Sequence, residues 1–193
     1  GVLREEVRQQ NRAFLHRVRT GRPFGVLKWA MSLDGRTALP NGASQWISGP
    51  PARDWVHQLR SGMDAVVVGG GTVRGDDPLL TSRGRRSPEP LRVVLSRSLD
   101  LPDQAQLWDT AVAPTLVAHG PDADLRRLPS GPEALRLSAC EPQQLMEALA
   151  ERGCNQVLWE CGPELAAAAI QQGCVQEIAA VVAPKLMGGI AAR

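Results

Sequence analysis

DAVVVGGG, residues 64–71, is the stretch that decides the fold. A continuous run of alanine and valine without polar alternation must be buried on both faces, and a run of that kind ending in glycines is the pattern of a parallel strand inside an α/β sheet. The glycines then allow a sharp turn or a close approach of backbone to a ligand. Upstream, TGRP at 20–23 breaks an amphipathic helix read over 2–19, and residues 24–31 supply a first core strand. Pro50 and Pro51 open a helix over 52–60, because proline is tolerated in a helix's first turn. Downstream, residues 91–95, 114–118 and the shorter 135–137 read as strands between turns rich in Pro, Gly and Asp. A helix over 141–152 ends at Gly153, a strand covers 157–159, an alanine-rich helix over 163–172 ends at Gly173, and 177–183 is a last strand. Strand and helix alternate throughout, so the expected architecture is an α/β sheet with mainly parallel strands flanked by helices.

Length and charge narrow the function. A chain of 193 residues suits one compact domain. Its 22 basic and 20 acidic residues leave a net charge of +2 and are dispersed along the chain, which argues against nucleic acid or a membrane surface as partner. No apolar run approaches the roughly 20 residues that cross a bilayer, and the opening GVLREEVRQQNRAF lacks the apolar stretch of a signal peptide, so a cytoplasmic location is expected. Cys140, Cys154, Cys161 and Cys174 are spaced by 14, 7 and 13 positions with no CxxC pair, and the histidines lie far from them. Free, mostly buried thiols are expected, with no metal site and no disulfide framework.

Ligands of open parallel sheets bind at the carboxyl ends of the strands, and three turns there carry polar chemistry. VVVGGGTVRGDDPLLT, residues 66–81, adds Thr72, Asp76 and Asp77 to its glycines; the same glycines would also serve a tight strand-to-helix turn without a ligand. WECGPELAAAA, residues 159–169, sets a helix N-terminus at Gly162 and Pro163 directly after a strand, where free N–H groups suit a pyrophosphate. Glu160 at that strand end either accepts hydrogen bonds from a ligand or caps the helix. KWAMSLDGRTALPNGASQWIS, residues 28–48, concentrates Lys28, Asp34, Arg36, Ser44 and Trp46 beside a core strand, and Trp46 either covers a flat ring or fills the core. These residues alone reach as far as an enzyme for a nucleotide or phosphate ligand.

KWAMSLDGRTAL, SQWIS, VVVGGGTVRGDDPLLTSR, WECGPELAAAAI and APKLMGG closely resemble successive motifs of the reductase domain of bifunctional diaminohydroxyphosphoribosylaminopyrimidine deaminase/5-amino-6-(5-phosphoribosylamino)uracil reductase, a dihydrofolate-reductase-like family of riboflavin biosynthesis. The resemblance runs from about Gly21 onward. It implies a linker helix over 1–20 and a reductase domain over 21–193 that stops short of the family's usual C-terminal strands. By this resemblance the chain reduces the phosphoribosylamino-uracil to its ribitylamino form with NADPH, as a homodimer. The zinc motifs of the deaminase half, H-x-E and P-C-x-x-C, are absent, so a deaminase is expected upstream or on a separate chain.

Carried over by position, the resemblance places Ala30, Trp46, Thr72, Asp76, Ser96, Gly162, Pro163, Glu164, Leu165, Ala166, Ala167 and Ala168 against the cofactor. It places Ser44, Arg60, Leu80, Arg83 and Glu160 against the substrate. Lys28, Glu160 and Asp76 are the candidates for assisting proton transfer. Arg60 and Arg83 suit a phosphate because the guanidinium fork matches its oxygens, with surface ion pairs as the other reading. Three rivals stand beside this one: reduction of the diaminopyrimidine before deamination, a non-catalytic dinucleotide-binding module, and a true dihydrofolate reductase.

Overall fold

A computed structural model describes residues 3–38 and 49–188 of the chain. In chain order the elements are α1 (Arg4–Gln10), α2 (Arg12–Thr20), β1 (Phe24–Ser32), α3 (Pro50–Ser61), β2 (Ala65–Gly69), α4 (Gly70–Asp76), β3 (Leu91–Ser96), β4 (Thr115–His119), β5 (Glu133–Arg136), α5 (Pro142–Glu151), β6 (Gln156–Trp159), α6 (Pro163–Gln171) and β7 (Glu177–Ala183). The strands form one sheet in the order β5-β4-β3-β2-β6-β1-β7, and every recorded pairing is parallel.

The apolar runs occupy the places their composition demands. Ala65, Val66, Val67 and Val68 of β2 are fully buried, with β3 on one side and β6 on the other. Alternate residues feed two cores. Leu27, Ala65, Val67, Val93, Leu95, Val157 and Trp159 pack with Leu145, Met146 and Leu149 of α5 and with Ala166 and Ala169 of α6. Val26, Val66, Val68, Val94, Val117 and Leu158 pack on the other side with Val73 of α4, Leu80, Leu99 and Leu107. Helices thus cover both faces, as a parallel sheet requires. All four cysteines are free thiols, and Cys140, Cys154 and Cys174 are buried.

Gly25 shows how tightly the sheet meets the turn after α6. A Cβ there would lie 1.9 Å from the carbonyl oxygen of Cys174, the same oxygen that accepts the indole N–H of Trp159 at 3.1 Å. Arg92, fully buried, acts as a hub of another kind. Its guanidinium donates to the carbonyls of Leu107 at 3.0 Å and of Asp109 and Ala113 at 2.7 Å, with longer bonds to Gln106 at 3.3 Å and Leu79 at 3.5 Å. Burial lowers its pKa, opposed by the charges of Asp109 and Glu89.

The N-terminal segment differs from the single helix its spacing predicts. Asn11, at φ −98°, separates α1 from α2, and its side-chain amide donates to the Val7 carbonyl at 2.9 Å. A side chain that bonds the preceding turn competes with the helix's own ladder, which explains the interruption. Arg17 ties α2 to the domain through the Gly153 carbonyl at 3.2 Å and Asn155 Oδ1 at 3.1 Å. Strand β5 begins two residues before the expected 135–137, because its exposed residues carry no apolar run to mark it.

Candidate active site

The carboxyl ends of β1, β6, β2 and β3 open into one cleft of about 920 Å³. Glycines build its floor. Strand β2 passes into α4 with no intervening loop, Gly69 serving as N-cap, and beside it Gly162 caps α6 at the end of β6. Positions 71 and 162 face open space where a side chain would otherwise stand. In α6, Pro163 has no N–H and the Ala166 N–H is already bonded to the Gly162 carbonyl at 3.0 Å. The N–H groups of Glu164 and Leu165, both lining the cleft, are therefore the unsatisfied donors of that helix start.

One wall comes from α3. Arg53, His57 and Arg60 recur at helical spacing and all line the cleft. Arg60 is committed: Nε donates to Glu160 Oε1 at 2.6 Å, Nη2 to Oε2 at 2.9 Å, and Nη1 to the Thr81 carbonyl at 3.0 Å. Both side chains are nearly out of solvent, at 11% and 9% exposure. Burial pushes the Glu160 carboxyl up, but the Arg60 guanidinium, aided by the charges of Lys28 and His57, more than offsets it, so Glu160 titrates below the ordinary glutamate range. Arg60 is raised correspondingly, its desolvation outweighed by Glu160. His57, with Nδ1 at 3.5 Å from Arg60 Nη1, is lowered by partial burial and then by Arg60, Arg83 and Arg85. The arrangement sets an ionised carboxylate beside an imidazole whose protonation is disfavoured, with Lys28 lining the same cleft.

Most of the expected residues meet there. Lys28, Ala30, Arg60, Thr72, Asp76, Leu80, Glu160, Gly162, Pro163, Glu164 and Leu165 all line the cleft. Leu80 reaches it through a left-handed backbone at φ 56°. Others do not. Ala166 is packed into the core, Ala167 is exposed and Ala168 half-buried, because only the first turn of α6 reaches the cleft while the helix rotates the rest away. Ser96 is turned beneath α4, its Oγ 3.3 Å from where a Cβ on Gly70 would stand, and it is not among the lining residues. Arg83 is exposed on a left-handed residue beyond the wall, although its charge reaches His57. Asp34 ties the segment after β1 to the segment after β7 instead: it accepts from Ser32 Oγ at 2.6 Å and from the N–H groups of Met187 at 3.1 Å and Gly188 at 2.9 Å, and these bonds, Ser32 first, hold its pKa to about 2. Ser44 and Trp46 lie outside the described residues.

Arg53, His57, Cys140, Cys161 and Arg97 line the cleft without having been singled out from sequence. The first two carried a signal, since with Arg60 they form a stripe of basic residue types at i, i+4 and i+7 on one helix. Cys161 lies inside the 159–169 turn, between Glu160 and Gly162, whereas Cys140 and Arg97 are brought in only by the fold. Among the described residues no group of His, Cys, Asp and Glu could hold a metal ion, and no described helix is long and apolar enough to cross a membrane.

A parallel α/β sheet with glycine turns, a free helix start and an Arg–Glu pair gathered at its carboxyl edge defines an enzyme for a nucleotide or phosphate ligand. Comparison with known proteins narrows this. Residues 23–193 match the family described as the RibD C-terminal domain. The chain is 50% identical over 196 aligned residues to the riboflavin biosynthesis protein RibD of Synechocystis sp., covering 100% of this chain and 53% of that protein. It is 43% identical to the chloroplastic riboflavin biosynthesis protein PYRR of Arabidopsis thaliana, covering 93% of this chain and 31% of that one. The crystal structure of a diaminohydroxyphosphoribosylaminopyrimidine deaminase/5-amino-6-(5-phosphoribosylamino)uracil reductase from Thermotoga maritima superposes with a TM-score of 0.86 at 32% identity, covering 98% of this chain and 52% of that one. The chain belongs to the RibD C-terminal domain family, the reductase half of bifunctional riboflavin-biosynthesis proteins, and spans about half the length of its RibD relative. The α/β, dihydrofolate-reductase-like architecture expected from the motifs is borne out.

Proposed function

We propose that this chain reduces 5-amino-6-(5-phosphoribosylamino)uracil to its ribitylamino form with NADPH. The observation that carries the reading is the buried Arg60–Glu160 pair, with Lys28 nearby, set in the same cleft as the free N–H groups that open α6. The cleft fits a dinucleotide: Gly162 and Gly71 leave open space, and the N–H groups of Glu164 and Leu165 suit a pyrophosphate. Thr72 and Asp76 line the same side of the floor and would meet the remainder of the cofactor, which supplies a hydride when bound.

The chain's own residues position the substrate and manage its proton. The substrate's ribose unit, opened to an imine, takes the hydride at C1 while its nitrogen takes a proton, so that C=N becomes CH–NH. Glu160, held as a carboxylate by Arg60, accepts hydrogen bonds from the substrate's hydroxyl or amino groups rather than donating a proton. Lys28 is then the group placed to deliver it, directly or through an ordered water. Arg53 and His57, on the α3 wall of the same cleft, serve as donors for the ribose phosphate, with Arg83 adding charge from the rim. The deaminase step belongs to another part of the polypeptide or to a separate chain, and the reductase is assigned a dimer in the cytoplasm.

The test is oxidation of NADPH by the chain in the presence of each pyrimidine. Oxidation that depends on the uracil compound, with the diaminopyrimidine inert, is the expected result. Turnover of the diaminopyrimidine alone would move the enzyme to the step before deamination. NADPH binding without oxidation on either compound would make the chain a binding module.

A further inference from the structure

The arginines in and around the cleft are not equivalent. On the α3 side Arg60 is locked to Glu160, and Arg92 is buried among carbonyls behind the wall. Arg74 of α4 is tied to Asp100, through its carbonyl at 2.5 Å and Oδ2 at 3.3 Å. On the other side, where α5 and α6 pack, Arg97 lines the cleft just after β3. Its guanidinium is exposed and, among the described residues, receives no carboxylate and donates to no carbonyl.

Three features place it. The Gly120 N–H donates to the Arg97 carbonyl at 3.1 Å, fixing the backbone at the end of β3 against the end of β4. The side-chain stem lies over Gly120, where a Cβ would come within 3.2 Å of Arg97 Cγ, so the glycine leaves the stem its room. The charge is felt by Cys140, a member of the core on the α5 and α6 side, whose thiol is pushed up by burial and drawn back by Arg97. Ser96, by contrast, is turned beneath Gly70 on the α4 side.

Across the sheet, Lys28 on β1 and Arg97 after β3 are separated by three strand positions, β1 to β6 to β2 to β3. At about 4.8 Å per strand this is roughly 14 Å, comparable to an extended dinucleotide. The α6 helix start, at β6, stands between them. A dinucleotide with its reactive end at Lys28 and its pyrophosphate at α6 therefore brings its adenosine to β3, beside an arginine whose guanidinium has no ion-pair or hydrogen-bond partner among the described residues.

We propose that Arg97 binds the 2′-phosphate of the adenosine ribose and so sets the preference for NADPH over NADH. The proposal rests on the dinucleotide reading given above. A guanidinium offers a phosphate a two-pronged, charge-assisted bond that the hydroxyl of NADH cannot match.

The test is a fluorescence titration of the chain and of Arg97→Ala, Arg97→Lys and Arg97→Glu with NADPH and NADH, repeated with adenosine 2′,5′-bisphosphate against AMP. The side chain is exposed and its known anchors are main-chain, so thermal melts of the variants should overlay. Loss of a charge-assisted bond predicts that Arg97→Ala weakens NADPH by about tenfold to a hundredfold while shifting NADH by less than about twofold. Lysine should restore part of the loss and glutamate deepen it, and the bisphosphate should repeat the pattern. If the unaltered chain favours NADPH and Arg97→Ala keeps that preference, the assignment to Arg97 fails while the cofactor reading stands. Equal weakening of both dinucleotides would place Arg97 on the shared pyrophosphate and overturn the proposal. An unaltered chain that binds both equally would remove the NADPH reading and this proposal with it.

Discussion

Replacing Glu160 by glutamine removes one charge from a pair that the fold has taken almost out of water. In the native site both carboxylate oxygens are used, at 2.6 and 2.9 Å from Arg60, and the two side chains retain only 11% and 9% exposure. Glutamine keeps the shape and one acceptor but turns an N–H₂ group toward the guanidinium. Breaking a buried pair on one side costs about 3–5 kcal/mol, because the remaining charge is left buried without compensation. The Thr81 carbonyl still holds Arg60, so the lower end, about 3 kcal/mol, is expected, a fall in Tm of roughly 6–12 °C for a chain of this size. Urea titration should show a lower midpoint at unchanged slope. The loss should also depend on pH. Glu160 in the folded state titrates below the ordinary value of 4.5, so as pH falls the unfolded chain takes up this proton first. Its contribution is complete above that value and drains away as pH falls through the lower folded one, and Glu160→Gln should flatten that part of the profile. A paired Arg60→Met, Glu160→Leu variant should regain much of the stability yet stay inactive. A Glu160→Gln protein with unchanged Tm, unchanged acid profile and unchanged substrate KM would refute the reasoning, showing that the pair contributes neither to the fold nor to the site.

Gly25→Ala should cost more than about 4 kcal/mol, since its Cβ would sit 1.9 Å from the Cys174 carbonyl; a soluble variant with a normal urea midpoint would count against the close approach. Arg92→Met removes the guanidinium shared by the carbonyls of Leu107, Asp109 and Ala113, which then keep only the Thr115 hydroxyl, for Leu107 and Ala113, and the Val112 N–H, for Asp109. It should destabilise by about 1–3 kcal/mol and raise the substrate KM more than the cofactor Kd, and an equal effect on both would remove its link to the substrate side of the cleft. Burial holds the Cys154 thiol up at about 11 and that of Cys161 at about 12. Alkylation followed by mass spectrometry at pH 8 should leave both unmodified in the folded chain and label them after denaturation, and rapid native labelling of Cys161 would contradict its placement.

Elements whose burial is written into composition were legible from the chain alone. The valine run of β2 allows only a strand covered on both faces, and the stretch 177–183 coincides with β7 at both ends. The glycine turns lie at the cleft, and most of the residues that the motif resemblance named line it, Lys28, Arg60, Thr72, Asp76 and Glu160 among them. Local pattern could not see competition between neighbours: Asn11 splits a helix whose apolar spacing runs straight through it, and the exposed β5 has no apolar run to announce it. Nor could it see which partner a charged side chain finds. Arg60 reads from sequence as a phosphate ligand, yet Glu160, a hundred positions away, takes its fork because β6 and α3 end at the same edge of the sheet. Ser96 and Arg97 are neighbours in the chain, and it is the sheet's alternation between faces, with Gly120 clearing room, that turns one beneath α4 and the other into the cleft. Composition and periodicity determine which residues must leave water. The pairing of charges is a long-range matter, decided by strand order.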